Sequence, residues 1–183
     1  MKTKLTKLSV VLFVLIAFAF KAYDYRLEAA KDTMVADWTW SKDYTLRYIE
    51  SMPESGMNYR PTDSVRTFRE QMLHLTSANM GIAAQALGVA PTLEDARGLE
   101  KSDGYKTKAE LAEVVAIGYD FIITNIESSS ADKFSEEIKL FGQYDMTIGE
   151  ALQKTFIHQT HHRGQTAVYI RMAGGTPPGM QLF

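Results

Sequence analysis

The chain has 183 residues, 45% of them hydrophobic, which is enough for one compact domain with a substantial core and too few for two ordinary domains. Its formal net charge is -2, but four of its 20 basic residues lie in the first 22 positions. The rest carries 16 basic against 22 acidic residues and gives no electrostatic basis for binding nucleic acid. Because the chain contains no cysteine, disulfides, thiolate ligands and a cysteine nucleophile are excluded, and any metal must be held by His, Asp or Glu.

The first 22 residues, MKTKLTKLSVVLFVLIAFAFKA, differ in composition from the rest of the chain. Lys2, Lys4 and Lys7 precede an apolar run from Leu8 to Phe20, which is the layout of a secretory signal peptide. The run is shorter than the roughly 20 residues that a transmembrane helix normally needs. We therefore predict an export signal followed by one domain at residues 23–183; an uncleaved N-terminal membrane anchor is the alternative. Both interpretations place the domain outside the cytoplasm, in the periplasm or the extracellular space.

Two long helices are predicted in the first half of this domain. Residues 23–52 contain neither proline nor glycine, and large apolar residues recur there at loosely helical spacing until Pro53. A second helix is predicted from about residue 63 to residue 87, with Val65 among the residues on its apolar side and Gly88 at its end.

Two further helices are predicted in the second half. Thr107 and Thr147 are each followed three positions later by a glutamate, the pattern of a capping box at a helix N-terminus. Residues 128–146 lack clear periodicity, so we read them mainly as a loop, which could contain one short element, and we find no convincing strand. The fourth helix is expected to end near Ala173, where two glycines follow. These elements predict an all-α fold, a four-helix bundle.

The histidines are the main functional signal, because three of only four lie within five residues. Residues advance by about 100° along a helix, so His158 and His162 lie on one face, one turn apart, and could share a metal ion. An HxxxH pair alone also arises by chance on surface helices. His74 lies inside the second helix, and facing helices of a bundle can supply ligands to one core metal. A lone buried histidine is more often simply hydrogen-bonded, but the combination favours a three-nitrogen site for a divalent metal that keeps open positions.

Three other residues are candidates for supporting this site. Gln165 lies seven positions after His158, about 20° from its direction, and could hold a ligand imidazole or a bound water, or join two helices instead. His161 points away from the pair, which suits a supporting or rim position. Glu70 shares a helix face with His74. Either His161 or Glu70 could also close the metal site as a fourth ligand.

Other residues of the fourth helix have structural interpretations. Arg163 is turned about 140° from His158, so we expect it to form a structural ion pair. Gly164 suggests close approach of a neighbouring helix, although a surface glycine is the alternative. Tyr169 lies near the His158 direction and either packs in the core or lines a pocket as a proton donor.

Two segments, YRPTDSVRTFREQMLHLTSAN at residues 59–79 and HQTHHRGQTAVYIRMAGGTPP at residues 158–178, together resemble the DinB/YfiT-like family of four-helix metalloenzymes. The resemblance covers roughly residues 27–178. It implies the family's bundle, often a homodimer, with His74, His158 and His162 as the metal ligands. Family members include transferases and isomerases that use low-molecular-weight thiols. The signal-like N-terminus departs from this pattern, because most members resemble cytoplasmic proteins and an exported one would meet little reduced thiol.

The sequence excludes several reaction types, since it has no GxSxG elbow, P-loop or dinucleotide fingerprint, and the histidine pair lacks the adjacent glutamate of HExxH proteases. The leading hypothesis is an enzyme, a hydrolase or a thiol-transferase-like protein, in which Zn(II), Ni(II) or a similar ion acts on water, a thiol or an oxygen of a small-molecule substrate. The competing hypothesis is a non-catalytic exported protein that binds metal or a partner. The long first and fourth helices offer a surface for a homodimer.

Overall fold

The computed structural model describes residues 2–93 and 96–181, and four long helices dominate it. These helices are α1 (Lys2–Ser51), α2 (Phe68–Leu87), α3 (Lys108–Ser128) and α4 (Ile148–Met172). Helix α2 packs against both α3 and α4, whereas α1 packs mainly against α3 and also contacts α4. This arrangement confirms the predicted all-α four-helix bundle.

The predicted helix boundaries in the second half of the chain are confirmed by local hydrogen bonds. Thr107 and Thr147 each accept a hydrogen bond from the backbone N–H three residues on, and the glutamate there accepts one in return. These capping boxes satisfy backbone donors that the first turn of a helix leaves free. At the C-terminal ends of α2 and α4, Gly88 and Gly174 adopt positive φ angles of 70° and 86°, which only glycine takes without strain.

Helix α2 begins five residues later than predicted, at Phe68 rather than near residue 63. Thr67 caps it in another capping box, with Glu70 as the partner, so the helix cannot extend further toward the N-terminus. The residues before Thr67 form turns instead, and Val65 remains 38% exposed rather than packing on the apolar side of the helix.

The connection between α3 and α4 was wrongly predicted to lack strands. Strands β1 (Glu137–Leu140) and β2 (Tyr144–Thr147) form an antiparallel hairpin in which Leu140 pairs with Tyr144. Its loop contains Phe141 and Gly142, both at positive φ. Leu140 is buried against Ala86 and Ala151 of the bundle, so tertiary packing stabilises strands of only four residues each.

Helix α1 continues without interruption through the segment that we predicted to be a separate export signal. For Lys2, Lys4 and Lys7, on which part of that prediction rests, the structure describes the helical backbone but not the side chains. Phe13 and Phe18 are 74% and 68% exposed, so this end of α1 extends beyond the packed bundle. Within the described part of the chain, no helix is long and apolar enough to cross a membrane.

The core lies where the four helices meet and is filled by large side chains from each of them. Its members include Trp38 and Ile49 of α1, Met72 and Leu75 of α2, Tyr119 and Ile122 of α3, and Leu152 and Ile170 of α4. Trp38 meets Tyr119 edge to face, with ring centroids 5.9 Å apart, so aromatic packing joins α1 to α3.

Gly164 fits the alternative interpretation of a surface glycine and not the expected close approach of a neighbouring helix. That residue is exposed, and a Cβ added to it would meet no atom of the described residues within 4 Å. Close approach occurs at Gly118 of α3 instead, where an added Cβ would lie 2.6 Å from Cγ2 of Thr76 on α2. The contact between α2 and α3 therefore depends on Gly118.

We expect Gly118→Ala and Gly164→Ala to change stability in opposite directions. The first substitution forces Thr76 to move and should lower the free energy of unfolding by about 1–3 kcal/mol. The second removes backbone freedom from an open helix position and should raise it by about 0.5–1 kcal/mol. Urea denaturation of both variants measures the difference, and a Gly118→Ala variant as stable as the unchanged chain would contradict the close contact.

Candidate metal centre

The packing of α2 against α4 brings together the three histidines selected from the sequence. One potential ligand atom from each of His74, His158 and His162 lies within 4.8 Å of the others. Nε2 of His158 lies 3.0 Å from Nε2 of His162, and the ring of His74 lies 4.5 Å from that of His162, centroid to centroid. Three imidazoles from two helices thus converge on one point.

The second nitrogen of each imidazole, Nδ1, has a different environment. Nδ1 of His74 lies 2.5 Å from Oε2 of Glu100, and Nδ1 of His162 lies 2.9 Å from the amide of Gln71. Nδ1 of His158 is buried and has no hydrogen-bond partner among the described residues. With Nδ1 of His74 and His162 directed to these partners, the Nε2 atoms are left to face a shared ion.

Burial keeps two of the imidazoles uncharged. It lowers the pKa of His162 to about 3, with neighbouring His158 and His74 acting in the same direction. Burial also lowers the pKa of His158, again reinforced by the other histidines. Neutral imidazole is the form that binds metal ions, because its unprotonated nitrogen carries the lone pair. The donor set therefore fits a divalent ion at neutral pH.

Glu100, which was not selected from the sequence, is the carboxylate of this site. It lies in a short 3-10 helix, Ala96–Lys101, between α2 and α3, and also accepts a hydrogen bond from Nη2 of Arg66 at 3.1 Å. Burial raises the pKa of Glu100, but hydrogen bonds from Arg66 and His74 outweigh it and hold the pKa below its usual value. Glu100 therefore remains an ionised acceptor beside His74.

The three residues expected to support the site lie in different places. Gln165 contacts the side chain of Gln71, and its Nε2 lies 2.9 Å from Nε2 of His161. A series of polar contacts thus runs from His162 through Gln71 and Gln165 to the exposed His161. Glu70 is elsewhere engaged: its carboxylate accepts the backbone N–H of Thr67 at the start of α2.

Arg163 does not form the ion pair that was predicted for it. It is buried, and within 4 Å of its guanidinium the described residues supply no carboxylate. Its Nη1 donates instead to Oγ of Ser41 at 2.6 Å and to Oε1 of Gln159 at 3.0 Å, and the guanidinium lies 4.7 Å from the ring centroid of Tyr44. Hydroxyl and amide oxygens and an aromatic face thus stabilise the buried cation.

A polar network extends from Arg163 to α3 and holds α4 in place. The hydroxyl of Tyr119 on α3 donates to Oε1 of Gln159 at 2.8 Å and lies 2.7 Å from Oγ1 of Thr45 on α1. Gln159 and Arg163 directly follow His158 and His162 in the sequence. The network therefore ties α1 and α3 to the turns of α4 that carry two of the three histidines.

A cavity of about 750 Å³ opens beside the histidines. Its lining includes Arg66, Gln71, Glu100, His162, Gln165 and Tyr169, with Val65 and Val168 on its apolar walls. Burial raises the pKa of Tyr169, so its hydroxyl remains protonated at neutral pH. Tyr169 packs against the core and also lines this cavity.

Comparison with known proteins agrees with this arrangement. A family model described as the DinB family matches residues 25–183. The chain belongs to the DinB family. The match begins after the signal-like segment, so the DinB-family region is the bundle itself. It includes all three converging histidines.

One relative is similar in sequence, and two solved structures share the fold. The uncharacterized protein YrdA of Bacillus subtilis (strain 168) is 24% identical over 154 residues, which is 81% of this chain and 86% of YrdA. A crystal structure of a DinB-like protein from Bacillus cereus ATCC 10987 has a TM-score of 0.71 at 17% identity, covering 82% of this chain and 97% of that one. The DinB-like protein YjoA from Bacillus subtilis has a TM-score of 0.63 at 18% identity, covering 81% and 96%.

We expect Tyr119→Phe to destabilise the bundle, because it removes the hydroxyl that joins Thr45 to Gln159 in a fully buried position. Thr45 and Gln159 keep their hydrogen bonds from Arg163, so the cost is that of the lost hydrogen bonds themselves. At about 0.5–1.5 kcal/mol each, their loss should lower the free energy of unfolding by about 1–3 kcal/mol. Tyr144→Phe, at a position 56% exposed in β2, is the matched control and should leave it unchanged. Equal urea midpoints for the two variants would argue against the network.

Proposed function

We propose that this protein is a metal-dependent enzyme that holds one divalent ion between His74, His158 and His162. The proposal is carried by the convergence of three imidazole nitrogens within 4.8 Å of one another on neighbouring helices. Neutral imidazoles suit Zn(II) and Ni(II) among the common divalent ions. The family resemblance of the histidine segments points to the same three ligands.

Catalysis is favoured over metal storage by what surrounds the three histidines. Among the described residues, no fourth His, Asp or Glu joins the cluster. The two candidates for that position are engaged elsewhere, His161 with Gln165 and Glu70 at the start of α2. Catalytic metal sites in proteins typically use three protein ligands and leave a position for water or substrate. A bound ion would supply Lewis acidity there, polarising a substrate oxygen or lowering the pKa of water or of a thiol.

The cavity beside the histidines is the proposed substrate site. Tyr169 offers a protonated hydroxyl, and Arg66 offers a cationic guanidinium, so electron-rich oxygen atoms of a small molecule would find donors there. Val65 and Val168 provide apolar walls for the rest of such a molecule. The proposed reaction is hydrolysis or group transfer to a thiol.

Export of the protein is the second part of the proposal. The basic and apolar start of the chain has the layout of a signal peptide. Phe13, Phe18 and Phe20 are 65–74% exposed, so removal of this segment would cost the bundle little packing. Because reduced low-molecular-weight thiols are scarce outside the cytoplasm, an exported location favours water as the co-substrate.

The metal content of the purified protein tests the site. We expect elemental analysis of the chain, prepared without a histidine tag, to find close to one divalent ion per molecule. His74→Ala and His158→Ala should each remove most of it, because each deletes one of three ligands. His161→Ala is the control on the same helix and should retain the ion, since His161 contacts Gln165 outside the cluster. Absence of metal after incubation with Zn(II) and Ni(II) would refute the proposal.

A further inference from the structure

Glu100 adds a carboxylate to the site formed by the three histidines. Its Oε2 lies 2.5 Å from Nδ1 of His74 and 3.1 Å from Nη2 of Arg66. It reaches this place from the 3-10 helix Ala96–Lys101, which packs against α2. A segment between two helices thus places a carboxylate against the ligand on α2.

The carboxylate restricts how His74 can be protonated. An ionised carboxylate only accepts hydrogen bonds, so a neutral His74 that pairs with Glu100 carries its proton on Nδ1. Its Nε2 is then unprotonated. This nitrogen is the one left to face His158 and His162, because Nδ1 is directed to Glu100.

We propose that Glu100 is a positioning residue for the metal site, which sets the tautomer and ring orientation of His74 before an ion arrives. The inference rests on the proposed metal-dependent function. Carboxylates in this position also increase the basicity of a ligand imidazole, and their loss typically weakens metal binding by about 10- to 100-fold.

The three histidines differ in what contacts their Nδ1 atoms. His162 has only the neutral amide of Gln71 at its Nδ1, where the amide nitrogen Nε2 lies 2.9 Å away and also donates to Gln165. An amide can turn over and present its oxygen instead, so it holds a tautomer less firmly than a carboxylate does. The Nδ1 of His158 has no partner in the described residues. His74 is therefore the one ligand of the cluster whose tautomer is determined by a charge.

The test compares Glu100→Gln with a matched control, Glu70→Gln. The two glutamates have nearly equal side-chain exposure, 31% and 30%, and each lies within 4 Å of an arginine, Arg66 or Arg60. Glutamine at position 70 can still close the capping box. We expect titration of metal-free protein with Zn(II) against a competing chelator to show a Kd about 10- to 100-fold higher for Glu100→Gln. Glu70→Gln should bind as the unchanged chain does.

Nitrogen-15 NMR of the imidazoles in the metal-free protein supplies a readout that simple loss of packing would not move. The unchanged chain should show His74 with its proton on Nδ1. In Glu100→Gln the amide can donate or accept, so a mixture of tautomers is expected. Nε2–H on His74 of the unchanged chain, or an unaltered Kd in Glu100→Gln, would overturn the positioning role while leaving the metal site intact. Failure of the unchanged chain to bind Zn(II) would overturn the proposed function, and the positioning role with it.

Discussion

The packing of α2 on α4 is the constraint on which the rest of the site depends. His74 and the pair His158 and His162 are separated by more than 80 residues, and only this helix contact brings their nitrogens within 4.8 Å of one another. The cavity, the Glu100 carboxylate and the Gln71 amide are all arranged around that contact. A change in the relative position of the two helices would therefore separate His74 and its partner Glu100 from the two histidines of α4.

The position of α4 is in turn maintained from its other side by the buried cation Arg163. A guanidinium without a carboxylate is costly to bury, and here Ser41, Gln159 and the ring of Tyr44 stabilise it. These hydrogen bonds are directional, whereas apolar packing alone would allow α4 to slide or rotate with little change in buried area. The core thus provides stability, and the polar network specifies which face of α4 is directed at α2.

Features that depend on a few neighbouring residues were predictable from the sequence, and features that depend on distant ones were not. The capping boxes of Thr107 and Thr147 and the stop at Gly174 are local, and the family motif identified the histidines. The Thr67 box was equally local and was overlooked, which displaced the predicted start of α2. The hairpin depends on burial of Leu140 against Ala86 and Ala151, and Glu100 reaches His74 through tertiary contact alone, so neither leaves a periodic signal.

The unbroken helix α1 limits when the N-terminal segment can be removed. Residues 13–23 are helical and lead directly into the part of α1 that packs on α3. Endoproteases act on extended backbone, and within a continuous helix the amides are occupied by internal hydrogen bonds. If the N-terminal segment is removed as proposed, the cut must therefore precede completion of α1. Maturation and folding of the bundle would then be sequential, and a chain that folded before export would retain its apolar extension.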